Sequence, residues 1–175
     1  MVLLIDVQQR LIAAMAKEVR EQVLRNSKIM LSAATALAVP VVVTEQYPKG
    51  LGHTLDELAV LLTDNSAVIE KTAFSVTKVE AVMAALQAHD RKQVVLLGME
   101  AHICVLQTAL NLVQHGYDVH VVEDAVCARD KANHTNAIQR LRAAGVTVSN
   151  TESVLFEWLA DAQHPAFKSL SKLIV

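Results

Sequence analysis

The sequence predicts a three-layer α/β fold, in which a six-stranded, mostly parallel sheet is covered by helices on both faces. Three observations carry this. Short β-branched apolar runs alternate with longer stretches of helical period along the whole chain. The apolar fraction is 53% while aromatics make up only 3%, so the core is Ala, Val and Leu, as in buried parallel strands and the helices packed on them. No linker, repeat or low-complexity stretch divides the 175 residues, which are expected to form a single domain over 1–175 with a sizeable core.

The elements follow in order. Val2-Leu-Leu-Ile5 is a continuous apolar run ending at Asp6, which predicts a buried strand. A helical pattern runs from about Lys17 to Leu37 and stops before Pro40. Val41–Thr44 is the second strand, and Tyr47-Pro48-Lys49-Gly50-Leu51-Gly52 is a loop by its Pro and Gly content. Thr54, with Glu57 three residues on, predicts a capped short helix. Ala67–Glu70 is a third strand, followed by a helix over about Lys78 to Ala88. Val94–Leu97 is a fourth strand, stopped by Gly98. The next helix, about His102 to His115, places Ile103, Leu106, Leu110 and Val113 on one stripe and ends at Gly116 in the position a left-handed cap requires. Val119–Val122 is a fifth strand and Ala132 to Ala144 a helix stopped by Gly145. Val146–Val148 is a sixth strand, and Thr151 starts a helix through about Leu159. Right-handed crossovers make such a chain a doubly wound, Rossmann-like sheet.

Charge and cysteine usage exclude several functions. The net charge is −2 and the pI about 6.4, with no Lys/Arg run, so no electrostatic footprint for nucleic acid is present. The longest charged cluster, Asp90-Arg91-Lys92, is a solvated turn. No apolar stretch approaches the ~20 residues of a membrane span, and the start at Met1 lacks the basic, longer form of a signal peptide. Two cysteines, Cys104 and Cys127, form neither a disulfide framework nor a CxxC pair, so a reducing cytoplasm is the expected compartment. A mean hydropathy of +0.32 in so small a chain predicts an oligomer, a dimer or higher, burying apolar surface between copies.

In open α/β sheets ligands bind beyond the carboxyl ends of the strands, so the polar residues standing there are the candidates. They are Asp6, Glu45 and Gln46, Glu70 and Lys71, the segment from Gly98 to Cys104, and Asp124. Cys104 falls in the first turn of a helix, where backbone N–H groups and the helix dipole favour a thiolate and can hold an oxyanion. Asp6 and Lys71 can supply the proton acceptor and the cation that such a thiol needs. The bland alternatives are a buried structural cysteine, a loop-anchoring Asp6, and a surface Lys71 paired with Glu70 or Glu45. Gln8 suits a role in holding the loop after Asp6, and His134 suits a bond from its helix to a neighbouring loop. Cys127, with no helix N-terminus beside it, is structural.

In their contexts these residues resemble the isochorismatase-like cysteine hydrolases. Leu3-Leu4-Ile5-Asp6-Val7-Gln8 is similar to the family's opening strand, and Glu70-Lys71-Thr72-Ala73-Phe74-Ser75 to its K-x-x-F-S segment. Gly98-Met99-Glu100-Ala101-His102-Ile103-Cys104-Val105 resembles its nucleophile segment, and Val122-Glu123-Asp124-Ala125 the strand end that follows. The resemblance spans nearly the whole chain and is nearest to the poorly characterised isochorismatase-domain-containing group. It implies an Asp6–Lys71–Cys104 triad, a non-proline cis peptide at Met99-Glu100, and an oxyanion hole from the N–H groups of Glu100 and Cys104. Gln46, Tyr47, Phe74 and His102 are candidates for lining the substrate pocket.

The nicotinamidase branch has an Asp-x-His metal motif after the second strand, where this chain reads Thr44-Glu45-Gln46-Tyr47-Pro48 with His53 a loop residue. No metal and no cofactor are therefore expected. Retention of Cys104 tilts the substrate towards a small amide, ester or related acyl compound. Two other functions stay open: a catalytically idle oligomeric interaction module, and a thiol redox sensor, for which Cys127 is not obviously placed to resolve an oxidised Cys104. The C-terminal run from Phe167 to Leu173 has the spacing of an amphipathic turn or two and could pack on a partner subunit.

Overall fold

Six parallel strands form the centre of the computed structural model, which describes residues 1–174. They are β1 (Val2–Ile5), β2 (Val41–Gln46), β3 (Ala67–Lys71), β4 (Gln93–Met99), β5 (Asp118–Cys127) and β6 (Thr147–Ser149), in the spatial order β3-β2-β1-β4-β5-β6. The chain thus moves outward from β1 to one edge, returns to the other side of β1, and moves outward again. That reversal falls between β1 and β4, and a crevice at their carboxyl ends follows from it.

Alternation along β1 divides the core. Val2 and Leu4 join a cluster with Val23, Met30 and Leu31 of α1 (Lys17–Ala36), while Leu3 and Ile5 face the other side. There they meet Val82 and Leu86 of α2 (Glu80–Ala88), Ala109 and Leu112 of α3 (Leu106–Gln114), and Ile138 and Leu141 of α4 (Lys131–Ala143). A strand apolar on both faces needs helices on both, and the chain supplies them.

Three departures from the sequence expectation have physical causes. Strand β5 runs on to Cys127, because Leu96 pairs with Val121 but Gly98 with Val126, and the irregularity absorbs Glu123 and Asp124. Asp124 therefore lies inside β5 and accepts bonds from the N–H and hydroxyl of Thr151 at 2.8 Å each. Thr54 caps nothing: its N–H donates to Glu45 Oε1 at 2.7 Å, and the short helix Asp56–Ala59 begins two residues on, with Leu55 at its cap. The C-terminal turns from Phe167 pack on their own chain, with Leu170 buried among Ile29, Ala33, Leu155 and Leu159.

The segment after β4 also differs. In place of a helix starting at His102, a wide π-type turn spans Ala101–Val105, with the Val105 N–H reaching back to the Glu100 carbonyl at 3.3 Å, before α3 begins. Single π-turns of this kind concentrate at functional sites. The Met99-Glu100 peptide is cis, as the resemblance implies. Gly116 and Gly145 both take the left-handed conformation expected of helix stops.

Candidate active site

Asp6 follows the last residue of β1, Lys71 is the last residue of β3, and Cys104 sits in the π-turn after β4. Distant in sequence, they meet at the crevice. Lys71 Nζ donates to Asp6 Oδ2 at 2.7 Å and points at Cys104 Sγ from 3.7 Å. The Asp6 and Lys71 side chains are fully buried, and Cys104 keeps 6% of its surface. The surface lysine paired with Glu70 or Glu45 is therefore ruled out.

The surroundings account for so costly a burial. Lys71 also donates to Gln46 Oε1 at 2.7 Å, and the carbonyls of Ala73 and Phe74 stand 3.2 and 3.3 Å away. The other Asp6 oxygen accepts the Thr44 hydroxyl at 2.8 Å. A buried ion pair survives only when its remaining hydrogen-bond capacity is met, and here it is. Asp6 itself has φ 56°, a left-handed conformation that aspartate tolerates better than most residues. Gln8 fixes the neighbouring loop: its amide donates to the Gln46 and Gly52 carbonyls and its carbonyl accepts the Gln46 N–H at 2.7 Å.

The charges act on one another. Burial pushes the Asp6 carboxyl up from its ordinary range, and the Lys71 ammonium and Thr44 hydroxyl pull it back. Burial, then the Asp6 charge, pushes the Cys104 thiol up to about 12, against the pull of Lys71. The thiolate expected from a helix N-terminus is thus corrected. Local helix position is outweighed by desolvation and by a carboxylate in contact with the sulfur, and Cys104 rests as a thiol at neutral pH.

The predicted lining residues separate. Tyr47 and Phe74, 55% and 52% exposed, stand at the ends of β2 and β3, with Tyr47 on the wall of a cleft of about 590 Å³ that Lys71 and Ala73 also line. Gln46 is occupied by Lys71 and by the Thr72 carbonyl at 2.7 Å. His102 Nδ1 lies 3.7 Å from Glu100 Oε2 without a hydrogen bond. His53 pairs with Glu45 at 2.9 Å, and the His134 ring lies 3.4 Å from the Glu123 carbonyl. Among the described residues no group of three His, Cys, Asp or Glu side chains is arranged to hold a metal ion. Cys127 is buried, with its thiol also pushed up to about 12 by burial and then Glu100. Thr44 is the partner that sequence reasoning passed over; the only signal was a hydroxyl next to the last residues of a strand otherwise made of valine.

The isochorismatase domain matches residues 1–153. This chain belongs to that family. The secreted isochorismatase effector Isc1 of Phytophthora sojae is 44% identical over 156 residues, covering 87% of this chain and 74% of that protein. Isochorismatase family protein 1B of Dictyostelium discoideum is 39% identical over 151 residues, covering 85% and 73%. Among solved structures, the MAR1 ribonuclease of Caenorhabditis elegans superposes with a TM-score of 0.92 at 34% identity, over 99% of this chain and 88% of that one. Membership in the isochorismatase-like hydrolases fits the observed sheet order and strand-end crevice. One of these relatives is named as secreted. No helix among the described residues is long and apolar enough to cross a membrane.

Breaking the buried pair has a calculable consequence. Lys71→Met leaves the Asp6 carboxylate buried without its counter-charge, which costs about 3 kcal/mol or more at pH 8. The lone carboxyl then binds its proton more tightly folded than unfolded, so its stabilising contribution is complete at low pH and is lost as pH rises through the raised folded value. Urea unfolding at pH 5 and pH 8 is expected to show the deficit relative to wild type shrinking at pH 5; a deficit equal at both would contradict the pairing.

Proposed function

We propose that this family member hydrolyses a small amide, ester or related acyl compound, with Cys104 as nucleophile, Asp6 as proton carrier and Lys71 as fixed cation. The observation that carries the reading is the fully buried Lys71 ammonium, 2.7 Å from Asp6 and 3.7 Å from the Cys104 sulfur. A thiol held near 12 cannot attack as a preformed thiolate, so its proton passes to Asp6 as the carbon–sulfur bond forms. The carbonyl electron pair moves onto oxygen, towards the N–H groups of Glu100 and Cys104. Asp6 then gives the proton to the departing amine or alkoxide, leaving a thioester. Water attacks the thioester, loses a proton to Asp6, and the sulfur departs and recovers it. Throughout, Lys71 keeps Asp6 in place, and it favours the charged carboxylate that must be restored between proton transfers. Tyr47 and Phe74 flank the approach, while Gln46 serves by holding Lys71. His102, turned to Glu100, receives no substrate contact in this scheme.

Mass spectrometry of protein quenched after mixing with p-nitrophenyl acetate tests the reading. One acetyl group on the Cys104 peptide, with p-nitrophenolate released in repeated turnovers, is expected; Cys104→Ala loses both. No acetyl on Cys104, in protein whose Cys104 still reacts with iodoacetamide, would favour the idle module. RNA cleavage is the rival activity, because the C. elegans neighbour is named a ribonuclease. A net charge of −2 gives this chain no excess of cations for a phosphate backbone, so degradation of RNA is expected to be absent. The same reading keeps a homo-oligomer as the working form, on the apolar composition alone.

A further inference from the structure

The proposed reaction gives the Glu100 side chain nothing to do, yet that carboxylate is buried between two parts of the fold. Its Oε2 accepts the Arg129 backbone N–H at 3.0 Å, and its Oε1 accepts Arg129 Nε at 2.5 Å. Arg129 lies between β5 and α4, 29 residues away in sequence, with its side chain 59% exposed. Both bonds join a charged group to its partner, the stronger class of hydrogen bond, and one of them fixes backbone as well as side chain. Glu100 carries the carbonyl to which both Ile103 and Val105 bond, so it is also the root of the turn that presents Cys104. A clamp on the Glu100 side chain therefore restrains the main chain leading to the nucleophile.

From this geometry we infer that Arg129 is a positioning residue: acting through the Glu100 carboxylate, it holds the Glu100–Cys104 turn so that its backbone donors meet the carbonyl oxygen under attack. It touches neither sulfur nor substrate. The inference rests on the acyl-hydrolase reading and adds a residue to it from the β5–α4 loop, which none of the strand-end motifs contains. Arginine suits the task because its fixed fork keeps direction as well as charge, where lysine offers a point charge on a flexible stem.

Two reactions of the same sulfur separate this role from plain stability. Attack on p-nitrophenyl acetate develops an oxyanion; displacement of iodide from iodoacetamide develops none. Misaimed donors slow the first and spare the second. In Arg129→Gln, acetylation of Cys104 is expected to fall about tenfold or more while alkylation stays within about twofold, with Arg129→Lys falling in between. Glu100→Gln, which keeps the shape and loses the charge, is expected to repeat the pattern and stands in if Arg129→Gln does not fold. Acetylation unchanged, or falling in step with alkylation, overturns the positioning role. Wild-type protein that is alkylated at Cys104 but never acetylated overturns the hydrolase reading itself, and the role of Arg129 falls with it.

Discussion

Asp6→Asn is expected to push two measurements of the same sulfur in opposite directions. Ester and amide turnover should drop by about 10²–10⁴-fold, because the group proposed to take the thiol proton and return it to the leaving group is gone. Alkylation of Cys104 by iodoacetamide near pH 8 should accelerate, because the carboxylate that helps hold the thiol up to about 12 has been neutralised. Lys71 remains fixed by Gln46 and the Ala73 and Phe74 carbonyls, and so becomes the counter-ion of a thiolate. In wild type the alkylation rate should climb about tenfold per pH unit from 7 to 9 without levelling, as expected of a thiol titrating far above that range. The variant's curve should lie above it and bend over earlier. Turnover that survives the substitution would remove Asp6 from the mechanism, and slower alkylation would mean its charge does not hold the thiol proton.

Gly98→Ala should leave little folded protein. Gly98 pairs with Ile5 across the two central strands at φ +120°, a conformation that residues with side chains rarely adopt. A β-carbon there would lie 2.0 Å from the Ile5 carbonyl oxygen and 2.7 Å from its carbon, and both belong to a backbone held on each side by a neighbouring strand. No side chain can swing away to make room, so β1 and β4 must separate where the crevice begins. A cost above about 5 kcal/mol is comparable with the whole stability of an ordinary domain. Soluble yield and urea unfolding check it; a variant that unfolds like wild type would mean that β1 and β4 are not in this register.

The parts of the fold that were legible in the sequence are those with a local signature. Valine-rich runs marked the strands, glycines marked the helix stops, and polar residues ending apolar runs marked Asp6, Lys71 and the approach to Cys104. What escaped depends on neighbours distant in the chain. Thr44 looks like any β-branched strand residue until the register places its hydroxyl 2.8 Å from Asp6. Glu123 and Asp124 look like the end of a strand, and only the irregular pairing with β4 shows that β5 continues past them. Thr54 had the spacing of a cap but lost its N–H to Glu45, a competitor nine residues back. The state of the Cys104 thiol was misjudged for the same reason: helix position is local, while burial and the Asp6 charge belong to the assembled crevice.

The placement of Lys71 on β3 ties the working life of the centre to an edge of the sheet. Strand β3 is an outermost strand with β2 as its single ladder partner, whereas Asp6 follows a strand flanked on both sides. Partial opening in folded proteins begins at such margins, at a free-energy cost below that of global unfolding. Detachment of five residues would withdraw the ammonium and strand a carboxylate in the interior while five strands and both packed layers stayed intact. On the proposed mechanism, inactivation in mild denaturant is then expected to be early, local and reversible, with amide exchange along Ala67–Lys71 as its clock.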